Sequence, residues 1–297
     1  MSGLMRYRVR HETVYDYGGD VAHSHQLLHL SPRDCVHQVC RSRTIELLPA
    51  PSARRETVDP FGNTVTRLEY ELPHDRLEVL AEAMVEVSAA PNAAETDSSS
   101  WEEVRDALMY SGRPMNGAHL EACRFRMESS HVRIKQTFGD YGADCFPAGR
   151  PVLQGAMDLM HKVHGDITYA PGTTTIGTSA LEAFNARRGV CQDFAHIMLA
   201  CLRSRGLAAR YVSGYLRTAP AGSDSALVGA DASHAWVSVF CPPLGWVDLD
   251  PTNDLRVATA HVVLAWGRDF GDVSPLRGVI IGGGQHRLTV RVSVQPE

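Results

Sequence analysis

The chain of 297 residues lacks both a long apolar run and a concentrated basic face. No stretch approaches the roughly 18 consecutive apolar residues of a membrane-spanning helix. The formal net charge is −5, and short arginine clusters at 41–43, 54–55 and 187–188 are scattered along the chain. Because nucleic-acid-binding domains usually gather such residues on one face, we interpret these clusters as solvated surface. We expect neither a membrane nor a nucleic acid as a partner.

A secretory signal is also missing from the sequence. The first residues, MSGLMRYR, lead directly into a strand-like pattern, without an apolar segment or a cleavage site of small residues. The seven cysteines form an odd and dispersed set, at positions 35, 40, 123, 145, 191, 201 and 241. Free thiols in a reducing compartment fit such a set better than a disulfide framework does. The expected location is therefore the cytoplasm.

Several common motifs for cofactors, metals and serine nucleophiles are absent as well. The sequence has no G-x-x-x-x-G-K-[ST] phosphate loop, no G-x-S-x-G nucleophile elbow and no D-x-D-x-D-G calcium loop. His23, His25 and His29 lie close to Asp34, but no cysteine pair accompanies them at the spacing of a zinc finger. We therefore predict no cofactor and no metal site.

Alternating patterns predict a β-rich region at residues 1–90. Alternate positions from Tyr7 to Tyr17 and from Leu77 to Val87 carry residues suited to one buried strand face. An antiparallel β-sandwich domain is the simplest arrangement for them. Residues 91–100 (PNAAETDSSS) are small and polar and include a proline, which predicts a domain linker.

Residues 101–297 mix helical and strand-like patterns, which predicts an α+β domain. We divide this domain into a helical entry at 101–165, a core at 166–256 and C-terminal strands at 257–297. The clearest helix is Gln192–Arg205, because apolar residues recur there at helical spacing and Gly206 follows as a C-terminal cap. Strand-like runs are predicted at 209–216, 234–240, 245–249 and 287–295.

Cys191 lies at the predicted start of this helix, in the segment RRGVCQDFA. The first turn of a helix offers unpaired backbone N–H groups and the positive end of the helix dipole. Both favour the thiolate, which is the reactive form of cysteine, and the same N–H groups could bind an oxyanion. Most free cysteines are small buried core residues, and Cys201 inside the helix fits that description better than Cys191 does.

A nucleophilic cysteine needs a base, and the base needs a group that orients it. His234 begins one predicted strand and Asp250 ends the next. A hairpin centred on Pro242 would place these two residues directly opposite each other, within imidazole–carboxylate hydrogen-bonding reach. Asp248 would then be the diagonal neighbour. The alternative is that both aspartates are turn residues.

Three segments resemble the transglutaminase-like core: RRGVCQDFAHIMLACLRSRGLAARYVSGY, DASHAWVSV and GWVDLDPTN. The first ninety residues and the tail FGDVSPLRGVIIGGG resemble bacterial transglutaminase-like proteins with a β-rich N-terminal domain. The resemblance implies a papain-like core with the nucleophile at a helix N-terminus packed on an antiparallel sheet. It assigns the catalytic roles to Cys191, His234 and Asp250, and it implies no metal at the nucleophile.

The function expected from these residues is acyl transfer from an amide bond through a thioester, with a peptide or protein amide as substrate. The resemblance favours water as acceptor, which gives a peptidase or amidase, over an amine, which gives a transglutaminase or peptide ligase. Gln192, Tyr169 and Trp236 are candidates for oxyanion or cleft residues. A non-catalytic binding module that retains the fold is the alternative from another class, and the sequence does not indicate the oligomeric state.

Overall fold

The computed structural model describes residues 3–90, 94–110, 112, 114–218, 227–229 and 232–297. The strands are β1 (Leu4–Leu28), β2 (Gln38–Leu48), β3 (Ala53–Val58), β4 (Thr64–Tyr70), β5 (His74–Ser88), β6 (Thr168–Tyr169), β7 (Arg188–Gly189), β8 (Ala209–Leu216), β9 (His234–Phe240), β10 (Trp246–Asp250), β11 (Leu255–Arg256), β12 (His261–Gly267), β13 (Leu276–Gly282) and β14 (His286–Pro296). The helices are α1 (Trp101–Ala107), α2 (Gly117–Cys123), α3 (Gln136–Tyr141), α4 (Val152–Asp166), α5 (Ala180–Ala186), α6 (Cys191–Ser204) and α7 (Phe270–Val273). None of the helices in the described ranges combines the length and the apolar character needed to cross a bilayer.

Strand β1 is the axis of the N-terminal sheet. The first part of β1 pairs antiparallel with β5 on one side and β14 on the other, and the last part pairs with β4 and β13. Strands β2 and β3 extend the sheet outward from β5 and β4. The predicted antiparallel β-sandwich domain is therefore built from one continuous seven-stranded sheet, and the register along β1 shifts between Asp16 and Val21. Leu28, Leu68 and Leu77, from both parts of the sheet, share one apolar core.

The C-terminal strands divide between the two regions, which differs from the division made from the sequence. Strand β12 joins the core sheet, but β13 and β14 pair with β1 and so complete the N-terminal sheet. The physical reason is that β14 gives the first part of β1 a second hydrogen-bonded neighbour and buries Val292 and Val294 in the N-terminal core. Alternation predicts a strand and its buried face, but it does not identify the partner strand.

The second half of the predicted linker is fixed to the core. Residues 91–93 lie outside the described residues, and a short 3-10 turn follows at Glu95–Asp97. The Ser99 N–H donates to the Pro242 carbonyl at 2.8 Å, and the Val152 N–H donates to the Ser99 carbonyl at 2.9 Å. Ser100 then caps α1 by accepting from the N–H of Glu103.

Helix α6 lies at the centre of the α+β core. It begins at Cys191, one residue before the predicted start, and every residue from 193 to 203 is buried. One side of α6 packs on a five-stranded antiparallel sheet in the order β11-β10-β9-β8-β12, and α3, α4 and α5 surround the rest. The opposite face of the sheet contacts the N-terminal domain, since Tyr215, Val262 and Leu264 belong to the N-terminal core.

Gly214 on β8 is required by the close packing of β8 against Val262 on β12 and Trp236 on β9. A Cβ atom at this position would lie 2.2 Å from the Val262 carbonyl oxygen and 2.4 Å from the Trp236 ring. We expect Gly214→Ala to lower the free energy of unfolding by about 1–3 kcal/mol, because overpacking forces the sheet apart. Gly165→Ala is the matched control, since no atom lies within 4 Å of its added Cβ. Guanidinium unfolding measures both; equal midpoints for the two variants would contradict this packing.

Candidate active site

The start of α6 is held in place by the residues just before it. Strand β7 pairs in parallel with β6, and the Ala170 N–H donates to the Gly189 carbonyl at 2.9 Å. The carboxylate of Asp193 accepts from the Val190 N–H at 2.8 Å and from the Thr174 hydroxyl at 2.7 Å. Gly189 makes this possible, because a Cβ there would lie 2.5 Å from the Asp193 carboxylate. The turn that presents Cys191 is therefore fixed on both sides.

Cys191 itself lies at the open N-terminal end of the helix. Its side chain is partly exposed, whereas Cys201 and Cys241 are buried. Within the described part of the chain, the N–H groups of Cys191 and Gln192 donate no backbone hydrogen bond. Burial raises the pKa of the Cys201 and Cys241 thiols far above the usual value. The first turn of α6 thus combines an accessible thiol with two free donors, which suits a negative charge.

His234 and Asp250 form the predicted pair, but through a different strand register. The Nε2 atom of His234 donates to Oδ2 of Asp250 at 2.8 Å, and both side chains are fully buried. Strands β9 and β10 pair Trp246 with Phe240 and Leu249 with Val237, so the register differs by two residues from the one predicted. The hairpin turn is centred on Pro243, and Asp250 meets His234 diagonally. A two-residue shift keeps each side chain on its face, which is why the contact survives.

Asp250 accepts hydrogen bonds from four residues. Its Oδ1 atom accepts from the backbone N–H groups of Thr252 at 3.0 Å and Asn253 at 3.2 Å. Its Oδ2 atom accepts from His234, from the Asn253 side-chain amide at 2.8 Å and from Nε2 of His261 at 3.2 Å. The turn after β10 supplies the backbone donors, because the chain reverses immediately after Asp250. A buried carboxylate held in this way stays ionised and fixed in orientation.

The charges of the pair stabilise each other. Burial alone would lower the pKa of His234, but the charge and hydrogen bond of Asp250 and the nearby Cys191 raise the pKa of His234 to about 10. Burial alone would raise the pKa of Asp250, but His234 and His261 hold it well below its usual range. Nδ1 of His234 is buried and has no hydrogen-bond partner among the described residues. It is therefore the ring nitrogen that the pair with Asp250 leaves free.

Two residues of this site, Asn253 and His261, were not identified from the sequence. Asn253 follows the D-P-T turn. An asparagine in a turn commonly hydrogen-bonds through its side chain to neighbouring backbone groups, so this position could have been noticed from the sequence. The side-chain oxygen Oδ1 of Asn253 also accepts from the Val228 N–H at 2.8 Å. His261 begins β12, eleven residues after Asp250, and no local pattern marks it. Only the order of strands in the sheet brings it to Asp250.

The other candidate residues have different positions. Tyr169 lies on β6 opposite Gly189 and packs near Phe194, and Gln192 is partly exposed in the first turn of α6. Both residues are therefore close to Cys191. Trp236 is fully buried, and its indole N–H donates to Asp248 at 3.0 Å. The Trp236 ring packs against the rings of His234 and His261, so it helps to hold the His234–Asp250 pair in position.

Trp246, the other tryptophan of this hairpin, does not pack around the pair. Its ring contacts Phe125 and Phe240, and the Arg210 guanidinium lies 4.3 Å from the ring centroid. It lies at the opposite end of β10 from Asp250, because the strand begins at Trp246.

One group of described residues has ligand atoms close enough to surround a metal ion. These are His234, Asp250 and His261, whose ligand atoms all lie within 4.8 Å of one another. The three atoms already hydrogen-bond at 2.8 and 3.2 Å, with both imidazole N–H groups donating to one carboxylate oxygen. A metal ion would have to displace both protons. The arrangement is complete as a hydrogen-bonded cluster, and the absence of a metal and a cofactor stays a prediction.

Comparisons with known proteins agree with this architecture. A model of the bacterial transglutaminase-like N-terminal region matches residues 7–86, and a model of the transglutaminase-like superfamily matches residues 144–251. The chain is 38% identical over 304 residues to the uncharacterized protein Rv2569c of Mycobacterium tuberculosis, covering 100% of this chain and 94% of that protein. The chain belongs to the transglutaminase-like superfamily.

Two further proteins are similar to this chain, one over nearly its whole length and one over a short stretch. A solved structure of a cysteine-protease candidate from Cytophaga hutchinsonii superposes with a TM-score of 0.76 and 18% identity, covering 99% of this chain and 91% of that one. At this identity, the likeness concerns the fold alone. A protein-glutamine gamma-glutamyltransferase of Pseudomonas aeruginosa is 41% identical over 71 residues, which is 23% of this chain and 10% of that enzyme.

The raised pKa of His234 depends on the charge of Asp250, which Asp250→Asn removes. Since the largest contribution that opposes burial is then lost, we expect the pKa of His234 to fall well below about 10. Asp248→Asn is the control: its amide oxygen can still accept from Trp236, and the His234 pKa should not move. Nuclear magnetic resonance titration of the histidine ring reports both; an unchanged pKa in Asp250→Asn would contradict the pairing.

The same pair makes stability depend on pH in a defined direction. The native pKa of His234 lies above its unfolded value of 6.5, so the stabilisation is complete below pH 6.5 and is lost as the pH rises toward 10. Denaturant midpoints measured from pH 6 to pH 10 should therefore fall more steeply in the parent protein than in His234→Gln.

Proposed function

We propose that this protein is a cysteine hydrolase of amide bonds, with Cys191 as the nucleophile, His234 as the general acid and base, and Asp250 as the group that orients His234. The observation that carries the proposal is the buried His234–Asp250 pair, which leaves Nδ1 of His234 free beside Cys191 at the open end of α6. This is the arrangement that nucleophilic cysteine catalysis requires. No other described cysteine combines a helix start with such a pair.

The proposed reaction forms and then hydrolyses a thioester. The Cys191 thiolate attacks the amide carbonyl carbon, and the developing oxyanion accepts hydrogen bonds from the free N–H groups at the start of α6. Imidazolium His234 gives a proton from Nδ1 to the amine nitrogen, and the C–N bond breaks. Neutral His234 then takes a proton from a water molecule that attacks the thioester. The carboxylic acid leaves, and the thiolate is restored.

Asp250 acts on His234 and does not touch the substrate. Its charge favours the imidazolium that must donate the first proton, and its hydrogen bond directs Nδ1 toward the thiol. His261 and Asn253 hold the carboxylate, so we assign them positioning roles. Gln192 and Tyr169 lie on the two sides of the nucleophile and are proposed to line the cleft.

We propose a peptide or protein amide as the substrate and the cytoplasm as the location. All seven cysteines are free thiols, and a reducing compartment keeps a nucleophilic cysteine reduced. A second reaction, transfer of the acyl group to an amine, has support from the glutamyltransferase of Pseudomonas aeruginosa, with which the chain shares 41% identity over 71 residues. Both reactions use the same thioester and differ only in the acceptor.

A peptide library with an added fluorescent amine tests the proposal and separates the two acceptors. We expect mass spectrometry to find hydrolysed peptides whose yield does not depend on the amine concentration. Cys191→Ala should remove all products. Cys201→Ala, a change of the same size within the same helix, should retain them, because Cys201 is a buried core residue. Products that carry the amine would identify a transglutaminase instead.

Equal product yields from the parent protein and Cys191→Ala would exclude Cys191 as the nucleophile. An identical loss in Cys201→Ala would show that the effect arises from the packing of α6, which circular dichroism of both variants would reveal.

A further inference from the structure

A groove with a cavity volume of about 490 Å³ lies between the N-terminal sheet and the core, away from Cys191 and His234. Its walls come from β1, β4 and β13 of the sheet, from the turn around Pro60, and from the segments that carry Arg124 and Arg268. The volume is within the range of about 300–1,000 Å³ that is typical of small-ligand pockets. The lining contains four arginines and two aspartates.

The strand register concentrates positive charge on one face of this groove. Leu27 on β1 pairs with Arg67 on β4 and with Arg277 on β13. Residues paired directly across strands point to the same face, so the two arginines flank Leu27. Their Cα atoms are roughly 10 Å apart, two interstrand spacings. Arg55 on β3 pairs with Arg67 and extends the same row.

The two aspartates of the groove do not neutralise these arginines. Asp272 accepts both guanidinium bonds of Arg268, each at 2.9 Å. Asp59 accepts from the backbone of Phe61 and Asn63 and from the Asn63 side chain, and it lies 3.6 Å from His29. Each carboxylate therefore already has hydrogen-bond partners close to it in the sequence.

Three guanidinium groups remain without a carboxylate partner in the described part of the chain: those of Arg67, Arg124 and Arg277. Arg124 donates to the Pro60 carbonyl at 2.7 Å, and Arg277 donates to the Gly271 carbonyl at 2.6 Å. Each of these bonds uses one of the five N–H donors of a guanidinium. The other donors of Arg124 and Arg277, and all those of Arg67, make no hydrogen bond within the described residues.

We propose that this groove binds a small polyanion that carries two or more carboxylate or phosphate groups. Arg67 and Arg277 hold separate anionic groups from the two sides of Leu27, and Arg124 closes the groove from the core. A planar guanidinium bonds either group with two parallel N–H donors. The volume favours a small molecule over a polymer, and the apolar floor of Leu27 and Val65 accommodates the carbon skeleton of an organic acid.

Isothermal titration of the full-length protein with pyrophosphate and with citrate, at constant ionic strength, tests this site. We expect saturable one-to-one binding of at least one probe, weaker by about tenfold or more in Arg67→Ala, because a charge-assisted bidentate contact is lost. Arg67→Lys should be intermediate. Arg67 is chosen because no hydrogen bond or ion pair of its side chain occurs among the described residues, so the fold does not depend on it.

Arg55→Ala is the matched control, since it removes the same charge one strand away and outside the groove. Binding to this variant should stay within about twofold of the parent protein.

Tightest binding of citrate would identify a carboxylate ligand, and tightest binding of pyrophosphate would identify a phosphate ligand. Equal weakening by Arg55→Ala and Arg67→Ala, or no saturable binding of either probe, would overturn the proposal. Binding of an acidic peptide alone would also overturn it. Since the groove is separate from Cys191, Cys191→Ala should bind the probes unchanged.

Discussion

The buried carboxylate of Asp250 is the interaction on which the rest of the site depends. A buried charge is costly unless it is paired and hydrogen-bonded, and removing one partner of such a pair typically costs about 3–5 kcal/mol. Here the turn after β10, the side chain of Asn253 and two histidines all donate to this carboxylate. The charge fixed in this way keeps His234 protonated beside Cys191. The free N–H groups at the start of α6 add a place where an oxyanion could bind.

The N-terminal sheet supports this cluster through β12. Gln38 hydrogen-bonds to both the N–H and the carbonyl of Val263, at 2.7 Å each, two residues beyond His261. The Tyr215 hydroxyl and His11 join the sheets at 2.9 Å. Because β13 and β14 complete the N-terminal sheet, the end of the chain contributes to the same support, and the arginine-rich groove forms where β13 and β4 meet the core.

The grouping of Cys191, His234 and Asp250 in one site could be predicted from the sequence, because each residue is marked by a local signal. Cys191 precedes a helical pattern, and His234 and Asp250 lie on one face of two adjacent strands. The hairpin register was wrong by two residues, since the turn residues do not specify where pairing begins. His261 and the partners of β13 and β14 could not be predicted, because they depend on contacts between strands far apart in the sequence.

Labelling with a sub-stoichiometric amount of iodoacetamide at neutral pH, followed by peptide mass mapping, tests the central claim most directly. We expect Cys191 to be modified before the other six cysteines, and we expect His234→Ala to reduce its modification while Cys201→Ala does not. Labelling spread over several cysteines, or selective labelling of Cys191 that persists unchanged in His234→Ala, would contradict the claim that His234 and Asp250 activate this thiol.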